Sequence, residues 1–203
     1  MDHHRLNLTR VASALSTSRG SNSSDFDLNP ADRPAGIPLL RPASVLLPLV
    51  ERGSELRLIL TRRAALLKHH PGQVAFPGGK QDPEDASPLA AALREAHEEI
   101  GLDPGDVGIV GRLDMHETVT GFMMAPFVGL VDVGFRPVID RSEVDEVFEV
   151  PLSFVLDPAN YQVHAREWRG RVRRYYAIPY GPHYIWGATA RILRVFADRM
   201  LDP

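Results

Sequence analysis

Short runs of apolar residues alternate with polar turns through the middle of the chain, and this pattern predicts a sheet. The runs at 44–50 and 56–61 are rich in Val, Ile and Leu, and a polar stretch containing Gly53 separates them. Such a pair is typical of neighbouring β-strands. A run at 73–76 leads into a Pro-Gly-Gly turn. Further strands are predicted at 107–113, 125–131 and 147–150, with a hairpin around Gly170.

Two longer segments have the spacing of helices that bury one face. The first carries an apolar stripe formed by Leu89, Ala92, Leu93, Ala96 and Ile100. Ser87 and Pro88 suit its N-cap and first turn, and Gly101 suits the left-handed residue just past its end. The second predicted helix spans 185–200. Because helices and strands follow one another without steady alternation, the pattern predicts an α+β fold and not a doubly wound parallel sheet.

The first 36 residues differ from the rest, and we predict that they form an N-terminal extension. Leu8, Val11, Ala12 and Leu15 lie at helical spacing and indicate a short amphipathic helix. The stretch at 18–38 is rich in Ser, Asn, Asp and Pro, which predicts a mobile or loosely packed connector. The expected division is therefore a partly flexible extension at 1–36 and a folded domain at 37–203.

Composition excludes several classes of protein. The chain has 203 residues, of which 44% are hydrophobic and 24% charged, as in ordinary globular proteins. It has no cysteine, so disulfides and thiol chemistry are excluded. The net charge of −3 argues against sequence-independent binding to nucleic acid. No apolar run approaches the roughly 20 residues of a membrane helix, and no secretory signal is evident, so we expect a cytoplasmic protein without a membrane partner. The oligomeric state stays open, a homodimer included.

The first predicted helix also carries an unusual cluster of negative charge. Glu95, Glu98 and Glu99 are spaced i, i+3 and i+4, which places them on one face. Like charges at this spacing destabilise a helix by about 0.2–0.5 kcal/mol per pair. A divalent cation would convert that repulsion into coordination, and Mg²⁺ is commonly held by carboxylates together with phosphate oxygens. A solvated acidic face is the alternative, but the preceding glycine turn and Arg94 favour metal-assisted phosphate chemistry.

This helix resembles part of the signature of the Nudix hydrolases, G-x5-E-x7-R-E-U-x-E-E-x-G-U, where U is an aliphatic residue. The stretch from Arg94 to Leu102 matches its second half. The first half departs from the pattern, because Gly79 lies one residue further from Arg94 than the signature requires. The interval therefore contains a one-residue insertion, and Glu84 and Asp85 are both candidates for the loop acid.

A second resemblance is to the coenzyme A pyrophosphatase branch of the same family. Its extra motif runs roughly L-L-T-x-x-[SA]-x3-R-x3-G-x3-F-P-G-G. The chain follows that spacing from Leu60 through Ala64 and Gly72 to Gly79, with Lys68 where the branch usually has arginine. Phrases further along the chain resemble the branch in the same order, so the likeness covers about 38–200.

The resemblance implies an α+β fold of the Nudix type, an α/β/α sandwich with a mixed sheet, and a Mg²⁺- or Mn²⁺-dependent hydrolase. It implies that Glu95 and Glu99 are the principal metal ligands and that Glu98 is a further ligand or the base that acts on water. The backbone carbonyl of Gly79 is a further candidate ligand. Arg94 is expected to hold one of the glutamates in position.

Other site residues are also carried over from the resemblance. Glu143 is the leading loop acid, as a distal ligand or base, with Glu117 and Glu146 as rivals. The branch motif implies that Arg62, Arg63 and Lys68 bind the phosphates of coenzyme A.

Two further clusters are weaker candidates. The arginines around Gly170 are either a charged strand edge or a site for an anionic substrate tail: Arg166, Arg169, Arg171, Arg173 and Arg174. Tyr180, Tyr184 and Trp186 either pack in the core or stack on adenine.

The expected reaction is hydrolysis of the pyrophosphate bond of coenzyme A or a derivative, which gives 3′,5′-ADP and 4′-phosphopantetheine or its derivative. NADH, ADP-ribose or a nucleoside triphosphate are alternative substrates for the same chemistry. A Nudix-fold module that binds nucleotides without cleaving them is the alternative from a different class of protein.

Overall fold

The computed structural model describes residues 7–16, 22–36, 39–168 and 170–201. The helices in this part of the chain are α1 (Leu8–Leu15), α2 (Pro88–Ile100), α3 (Leu152–Val155) and α4 (Ala188–Leu201). The strands are β1 (Ser23–Ser24), β2 (Arg41–Arg52), β3 (Glu55–Arg63), β4 (Val74–Ala75), β5 (Gly78–Lys80), β6 (Val107–Arg112), β7 (His116–Glu117), β8 (Phe122–Val131), β9 (Val144–Pro151), β10 (Gln162–Trp168), β11 (Arg171–Tyr180) and β12 (His183–Trp186). Short 3₁₀ turns lie at Pro30–Asp32, Pro104–Asp106 and Pro158–Asn160.

The strands form one large mixed sheet and one small antiparallel sheet. The large sheet follows the order β1-β7-β8-β2-β3-β4, and β5, β6 and β9 pair with β2, β8 and β3. β2 is parallel to β8 and antiparallel to β3 and β5. The small sheet has the order β10-β11-β12. The predicted α+β class with a mixed sheet is confirmed.

Alternation along β2 places helices on both faces of the large sheet. Leu47 and Leu49 are fully buried in the same cluster as Phe196 of α4. Leu46, the residue before Leu47, is buried in a second cluster with Ala92 and others from α2. Since successive strand residues point to opposite faces, the sheet lies between two helical layers. This is the predicted α/β/α sandwich.

The last helix begins later than its periodicity predicts. Ile185 and Trp186 belong to β12, where they pair with Ile178 and Ala177 of β11. Gly187, with a φ of 66°, then turns the chain into α4. The prediction of a helix start at 185 was wrong because Ile185 is a buried strand residue whose apolar side chain fits either period.

The N-terminal segment at 22–36 packs against the large sheet, unlike the loosely packed connector that its composition predicts. β1 extends the sheet by pairing in parallel with β7. His116 is fully buried and is hydrogen-bonded to Ser23 Oγ at 2.9 Å through Nδ1 and to Asp25 Oδ1 at 3.3 Å through Nε2. The polar residues of the segment therefore serve as partners for a buried histidine. Residues 18–21 and 37–38 of the predicted connector lie outside the described residues.

No helix within the described residues has the length and apolar character needed to span a bilayer.

Candidate metal and phosphate site

Local signals at both ends of α2 fix the position of its glutamates. Ser87 Oγ accepts a hydrogen bond from the backbone N–H of Ala90 at 3.1 Å, and Pro88 occupies the first turn. Gly101 ends the helix in the left-handed conformation, with a φ of 68°. The side chain of Ala96 is fully buried against the sheet. These contacts set the rotation of the helix and direct its acidic face towards the turn at β5.

Glu99 is a buried carboxylate, with 2% of the residue exposed. Its Oε2 accepts a hydrogen bond from the backbone N–H of Gly78 at 3.2 Å, and its Oε1 lies 3.6 Å from Arg63 Nη1. Burial raises the pKa of Glu99 to about 8, although the Gly78 N–H and the Arg63 charge favour the ionised form. The charges of Glu95 and Glu143 raise it further. A cation at this position would relieve the cost of ionising Glu99.

Glu95 lies directly against the glycine turn. A Cβ at Gly79 would stand 2.5 Å from Glu95 Cδ and 2.6 Å from both carboxylate oxygens. The preceding Gly78 has a φ of 147°, and a Cβ there would lie 2.4 Å from the carbonyl oxygen of Ser44. Burial raises the pKa of Glu95, and the charges of Glu98 and Glu143 act in the same direction. Both glycines therefore allow backbone and carboxylate to approach closely.

Arg94 connects the loop acid to the glutamates of α2. Its Nε and Nη2 each donate to a different carboxylate oxygen of Asp85 at 3.0 Å. Its Nη1 donates to Glu95 at 3.1 Å and to Glu98 at 3.0 Å. The bond to Asp85, followed by the charges of Glu95, Asp85 and Glu98, raises the pKa of Arg94 despite burial. The guanidinium group is thus surrounded by carboxylates, which suits the expected positioning role.

The three candidates for the distal ligand or base, Glu143, Glu117 and Glu146, lie in different places. Glu143 lines the same cavity as Glu95 and Glu99, and its charge contributes to their raised pKa values. Glu117 is buried and pairs with Arg33 at 2.6 Å. Glu146 pairs with Arg62 at 3.3 Å. Neither Glu117 nor Glu146 lines the cavity, so the geometry favours Glu143.

The three basic residues of the branch motif also separate. Arg63 lines the cavity and lies beside Glu99. Arg62 pairs with Glu146 and does not line the cavity. Lys68 is exposed to solvent and does not line the cavity either. The structure therefore brings one of the three, Arg63, to the carboxylates. His70 also lines the cavity. Its backbone φ of 55° is uncommon for a residue other than glycine.

The donor set fits a divalent cation that is shared with a substrate. Among the described residues, no three His, Cys, Asp or Glu side chains already form a metal-binding group. Mg²⁺ does not require such a cage, because one or two carboxylates, waters and substrate phosphates commonly hold it. Glu95 and Glu99 are one helical turn apart and adjoin the Gly78 and Gly79 backbone, which suits that mode of binding.

The carboxylates lie at one side of a cavity of about 1040 Å³. Another wall comes from the small sheet and includes Tyr175 and Trp186 together with Arg166, Arg173 and Arg174. The N-terminal segment contributes Ser24, Asp25 and Leu28. The site is therefore a broad cleft between the glycine turn, the small sheet and the N-terminal segment.

The structure brings only some members of the aromatic cluster and of the arginine cluster to the cavity. Trp186 lines the cavity, whereas Tyr180 packs against Phe154 at the core, with ring centroids 5.1 Å apart. Tyr184 stacks with His164 beyond the cavity lining. Of the arginines, Arg166, Arg173 and Arg174 line the cavity, Arg171 pairs with Asp32 at 3.0 Å, and Arg169 lies outside the described residues.

Asp85 is the loop acid that the sequence left undecided. Counting forward from Gly79, the signature interval of five residues leads to Asp85. The insertion therefore falls between Asp85 and Arg94, and the bidentate pair of these two residues spans it. Counting from the glycine instead of from the arginine would have identified this residue.

Comparison with known proteins agrees with the geometry. The NUDIX domain model matches residues 40–168. A protein described as uncharacterized Nudix hydrolase NudL from Enterobacter sp. (strain 638) is 45% identical over 157 residues, which cover 77% of this chain and 81% of that protein. Its namesake from Photorhabdus laumondii is 41% identical over 160 residues, which cover 79% of this chain and 85% of that protein. A crystal structure of a MutT/nudix family protein from Enterococcus faecalis shares the fold, with a TM-score of 0.53 and 13% identity over 85% of this chain and 66% of that one.

The chain therefore belongs to the Nudix hydrolase family. Membership supports hydrolysis of a pyrophosphate bond in a nucleoside diphosphate derivative, with a divalent metal ion.

Proposed function

We propose that this chain is a coenzyme A diphosphatase that cleaves coenzyme A, or an acylated or oxidised form, into 3′,5′-ADP and 4′-phosphopantetheine or its derivative. The observation that carries the proposal is the position of Arg63. This residue comes from the motif that resembles the coenzyme A branch, and its guanidinium lies 3.6 Å from Glu99 of the Nudix helix. An arginine at that position is suited to bind diphosphate oxygens beside a metal held by the glutamates.

In this proposal, Glu95, Glu98 and Glu99 would hold Mg²⁺ or Mn²⁺ together with the carbonyl oxygen of Gly79. When bound, the ion would neutralise charge at the phosphate oxygens and lower the pKa of water. Glu98 or Glu143 accepts the proton of the attacking water. Because no covalent intermediate is required, orientation and charge stabilisation are the main contributions of the protein.

Arg94 acts as a positioning residue in the same proposal. Its guanidinium contacts both Glu95 and Glu98 while Asp85 holds it by two hydrogen bonds. It therefore restricts the rotamers of two carboxylates at once, and it is already saturated with protein partners.

A product assay by mass spectrometry tests the proposed substrate. The purified protein is incubated with coenzyme A, NADH, ADP-ribose and dATP, each with Mg²⁺, with Mn²⁺ and with chelator. We expect metal-dependent release of 3′,5′-ADP from coenzyme A. Cleavage of another compound alone would reject the coenzyme A assignment and keep the family chemistry. Tight nucleotide binding without cleavage of any compound would favour a binding module.

Two adjacent arginines provide a matched pair of variants for the same assay. Arg63→Gln removes the guanidinium in the cavity, whereas Arg62→Gln removes one that pairs with Glu146 outside it. We expect Arg63→Gln to raise KM for coenzyme A by about tenfold or more, because charged hydrogen bonds are among the strong ones. Arg62→Gln should leave KM within about twofold. Equal effects of the two variants would contradict the proposed phosphate contact.

A further inference from the structure

The large sheet forms a floor of the cavity beside the glycine turn. In β2, Leu47 and Leu49 are buried in the cluster that contains Phe196 of α4, so the odd-numbered residues of this strand face that helix. Ala43 and Arg41 continue the odd-numbered series, and both line the cavity. The face of β2 that packs on α4 therefore becomes the cavity floor towards the beginning of the strand.

The register of three strands relates this floor to the proposed metal site. Gly79 of β5 pairs with Ser44 of β2, and Arg41 lies three residues before Ser44, about 10 Å along the strand. Ala43, with its small side chain, lies between them on the cavity face. Phe122 of β8 pairs with Arg41, so these two side chains point to the same face of the sheet. A nucleoside joined to a diphosphate at the glycine turn can cover this distance.

Arg41 and Phe122 are in close contact on the floor. The guanidinium carbon of Arg41 lies 4.0 Å from the Phe122 ring centroid, the shortest arginine–ring contact in the part of the chain that the structure describes. Arg41 Nη2 donates to the carbonyl oxygen of Thr120 at 3.2 Å, and the Arg41 backbone N–H donates to that of Gly121 at 3.0 Å. The ring and the Thr120 carbonyl thus hold the guanidinium group. Because Arg41 is exposed and lines the cavity, its other side is open to the cavity.

A guanidinium group that is held on an aromatic ring is suited to stack on a nucleobase. The group is planar and delocalised, and it packs against aromatic faces. Nucleobases stack on arginine planes as well as on aromatic side chains. Such a contact does not require a particular hydrogen-bonding pattern, since every base has a π-face. A base that lies on Arg41 would extend the stack that begins at Phe122.

A second arginine lies against a ring on the wall that the small sheet supplies. The Arg166 guanidinium carbon is 4.5 Å from the Trp186 ring centroid, and both residues line the cavity. This pair is the competing place for a base. The observations favour Arg41, because its contact with the ring is shorter and a carbonyl oxygen orients its guanidinium group.

We infer that Arg41 binds the base of the nucleotide substrate by stacking, and that Phe122 is a positioning residue for Arg41. The inference rests on the proposed function for the identity of the base, which is the adenine of coenzyme A. The diphosphate then lies at the glycine turn, and the ribose crosses the floor at Ala43.

Calorimetric titration with 5′-AMP and ribose 5-phosphate tests this assignment without requiring turnover. The two compounds share the phosphate and the ribose, and only 5′-AMP has a base. We expect wild-type protein to bind 5′-AMP about tenfold or more tightly, because stacking adds to its affinity. Arg41→Lys keeps the positive charge but removes the guanidinium plane. It should reduce the preference for 5′-AMP by about threefold or more and leave the affinity for ribose 5-phosphate within about twofold.

Arg194→Lys is the matched control for Arg41→Lys. Arg194 also lies over a ring, 5.5 Å from the Tyr161 centroid, but neither residue lines the cavity. This variant should keep the wild-type preference. Phe122→Leu should reduce the preference as Arg41→Lys does, because leucine is apolar but offers no ring face to the guanidinium group. Phe122→Tyr should restore it, since the ring is kept.

Three results would overturn the inference. The first is a preference for 5′-AMP that is unchanged in Arg41→Lys. The second is equal weakening of 5′-AMP and ribose 5-phosphate in that variant, which would indicate a contact with the phosphate. The third is a preference that Trp186→Leu abolishes and Arg41→Lys does not, which would place the base on the small sheet.

Coenzyme A hydrolysis separates this inference from the proposed function. If coenzyme A is not cleaved but 5′-AMP is preferred over ribose 5-phosphate in an Arg41-dependent way, the base site stands and the coenzyme A assignment falls. If coenzyme A is cleaved and wild-type protein binds the two fragments equally, the base site falls alone.

Discussion

At position 79, the absence of a side chain decides where the Glu95 carboxylate can lie. An added Cβ would stand 2.5 Å from Glu95 Cδ, which is closer than non-bonded atoms approach. We expect Gly79→Ala to displace Glu95 and weaken the affinity for Mg²⁺ by about tenfold to 100-fold, as is typical when the support of a metal ligand is disturbed. A titration of hydrolysis against Mg²⁺ concentration measures the effect.

Gly108→Ala is the matched control for this substitution. Gly108 also lies in a strand, and the nearest atom to an added Cβ there is the Leu130 carbonyl oxygen at 3.8 Å, an ordinary contact. This variant should keep the wild-type metal dependence. If Gly79→Ala also kept it, Glu95 could not be the ligand that we propose.

Glu99 links the protonation of the site to stability. Its pKa in the folded, metal-free protein is about 8, compared with an ordinary value of 4.5. Because the pKa of Glu99 is higher in the folded state than in the unfolded state, protonation of Glu99 stabilises the fold. This contribution is complete below about pH 4.5 and is lost as the pH rises towards about 8. We therefore expect the melting temperature of wild-type protein in chelator to fall between about pH 6 and about pH 9 more steeply than that of Glu99→Gln.

Addition of Mg²⁺ provides the control for the Glu99 prediction. Because the ion binds the ionised carboxylate, it should stabilise the wild-type protein more at about pH 9 than at about pH 6. Parallel melting curves for wild type and Glu99→Gln across this range, with or without Mg²⁺, would show that Glu99 is ionised in the metal-free fold.

At the scale of elements, the pair between Asp85 and Arg94 joins the acidic loop to α2. We expect Asp85→Asn to lower kcat by about tenfold or more, because an amide offers one acceptor oxygen to a guanidinium that then holds Glu95 and Glu98 less firmly. The fold should persist, since the helix keeps its Ser87 cap and its buried face. Steady-state kinetics with circular dichroism measure both properties.

Glu84→Gln is the control for Asp85→Asn, since Glu84 is the exposed neighbour in the same loop. It should retain kcat within about twofold, as exposed charges contribute little. A loss of activity equal to that of Asp85→Asn would mean that loop charge matters and not the guanidinium contact.

Local patterns were enough to predict β2 and α2. An apolar run bounded by polar residues indicated β2, which is buried on both faces, and helical periodicity with capping residues indicated α2. Ile185 was assigned to a helix because its pairing with Ile178 depends on a strand that local periodicity does not reveal. Glu99 is another case, because spacing placed it on the acidic face but could not reveal its burial.

The candidate site was predictable where one segment carries it. Glu95, Glu98 and Glu99 share one helix, and Arg63 precedes the glycine turn closely. By contrast, Arg62 looked equivalent to Arg63 in sequence, and only the direction of its side chain, towards Glu146, separates them. Motif spacing identifies residue types at positions, and packing decides which of them reach the cavity.

At the scale of the whole molecule, the cavity is closed by parts of the chain that are distant in sequence. The N-terminal segment at 22–36 adds β1 to the large sheet and supplies Asn29 to β11 of the small sheet. It also contributes Asp25 to the cavity wall. Because one segment contacts both sheets, its attachment affects the shape of the cavity as well as stability.

Asp25 provides the test of that attachment. Burial raises its pKa, but the hydrogen bond and charge of His116, the N–H of Val119 and the charge of Arg173 together lower it below the ordinary value of 3.8. A lowered pKa contributes stability above about pH 4 that is lost as the pH falls through the folded-state value. Asp25→Asn should therefore reduce the free energy of unfolding by about 1–3 kcal/mol at pH 7, and the difference from wild type should shrink in acid.

Asp198→Asn is the matched change at an aspartate–arginine pair outside the cavity. Asp198 accepts a hydrogen bond from Arg194 Nε at 2.9 Å, one turn away on α4, so its loss should cost less than about 1 kcal/mol. Urea unfolding at about pH 7 and about pH 3 measures both variants, and KM at neutral pH reports on the cavity wall. Because Asp25 holds the segment that forms this wall, Asp25→Asn should raise KM while Asp198→Asn leaves it unchanged. If Asp25→Asn lowered stability without changing KM, the segment would support the sheet and have no part in shaping the cavity.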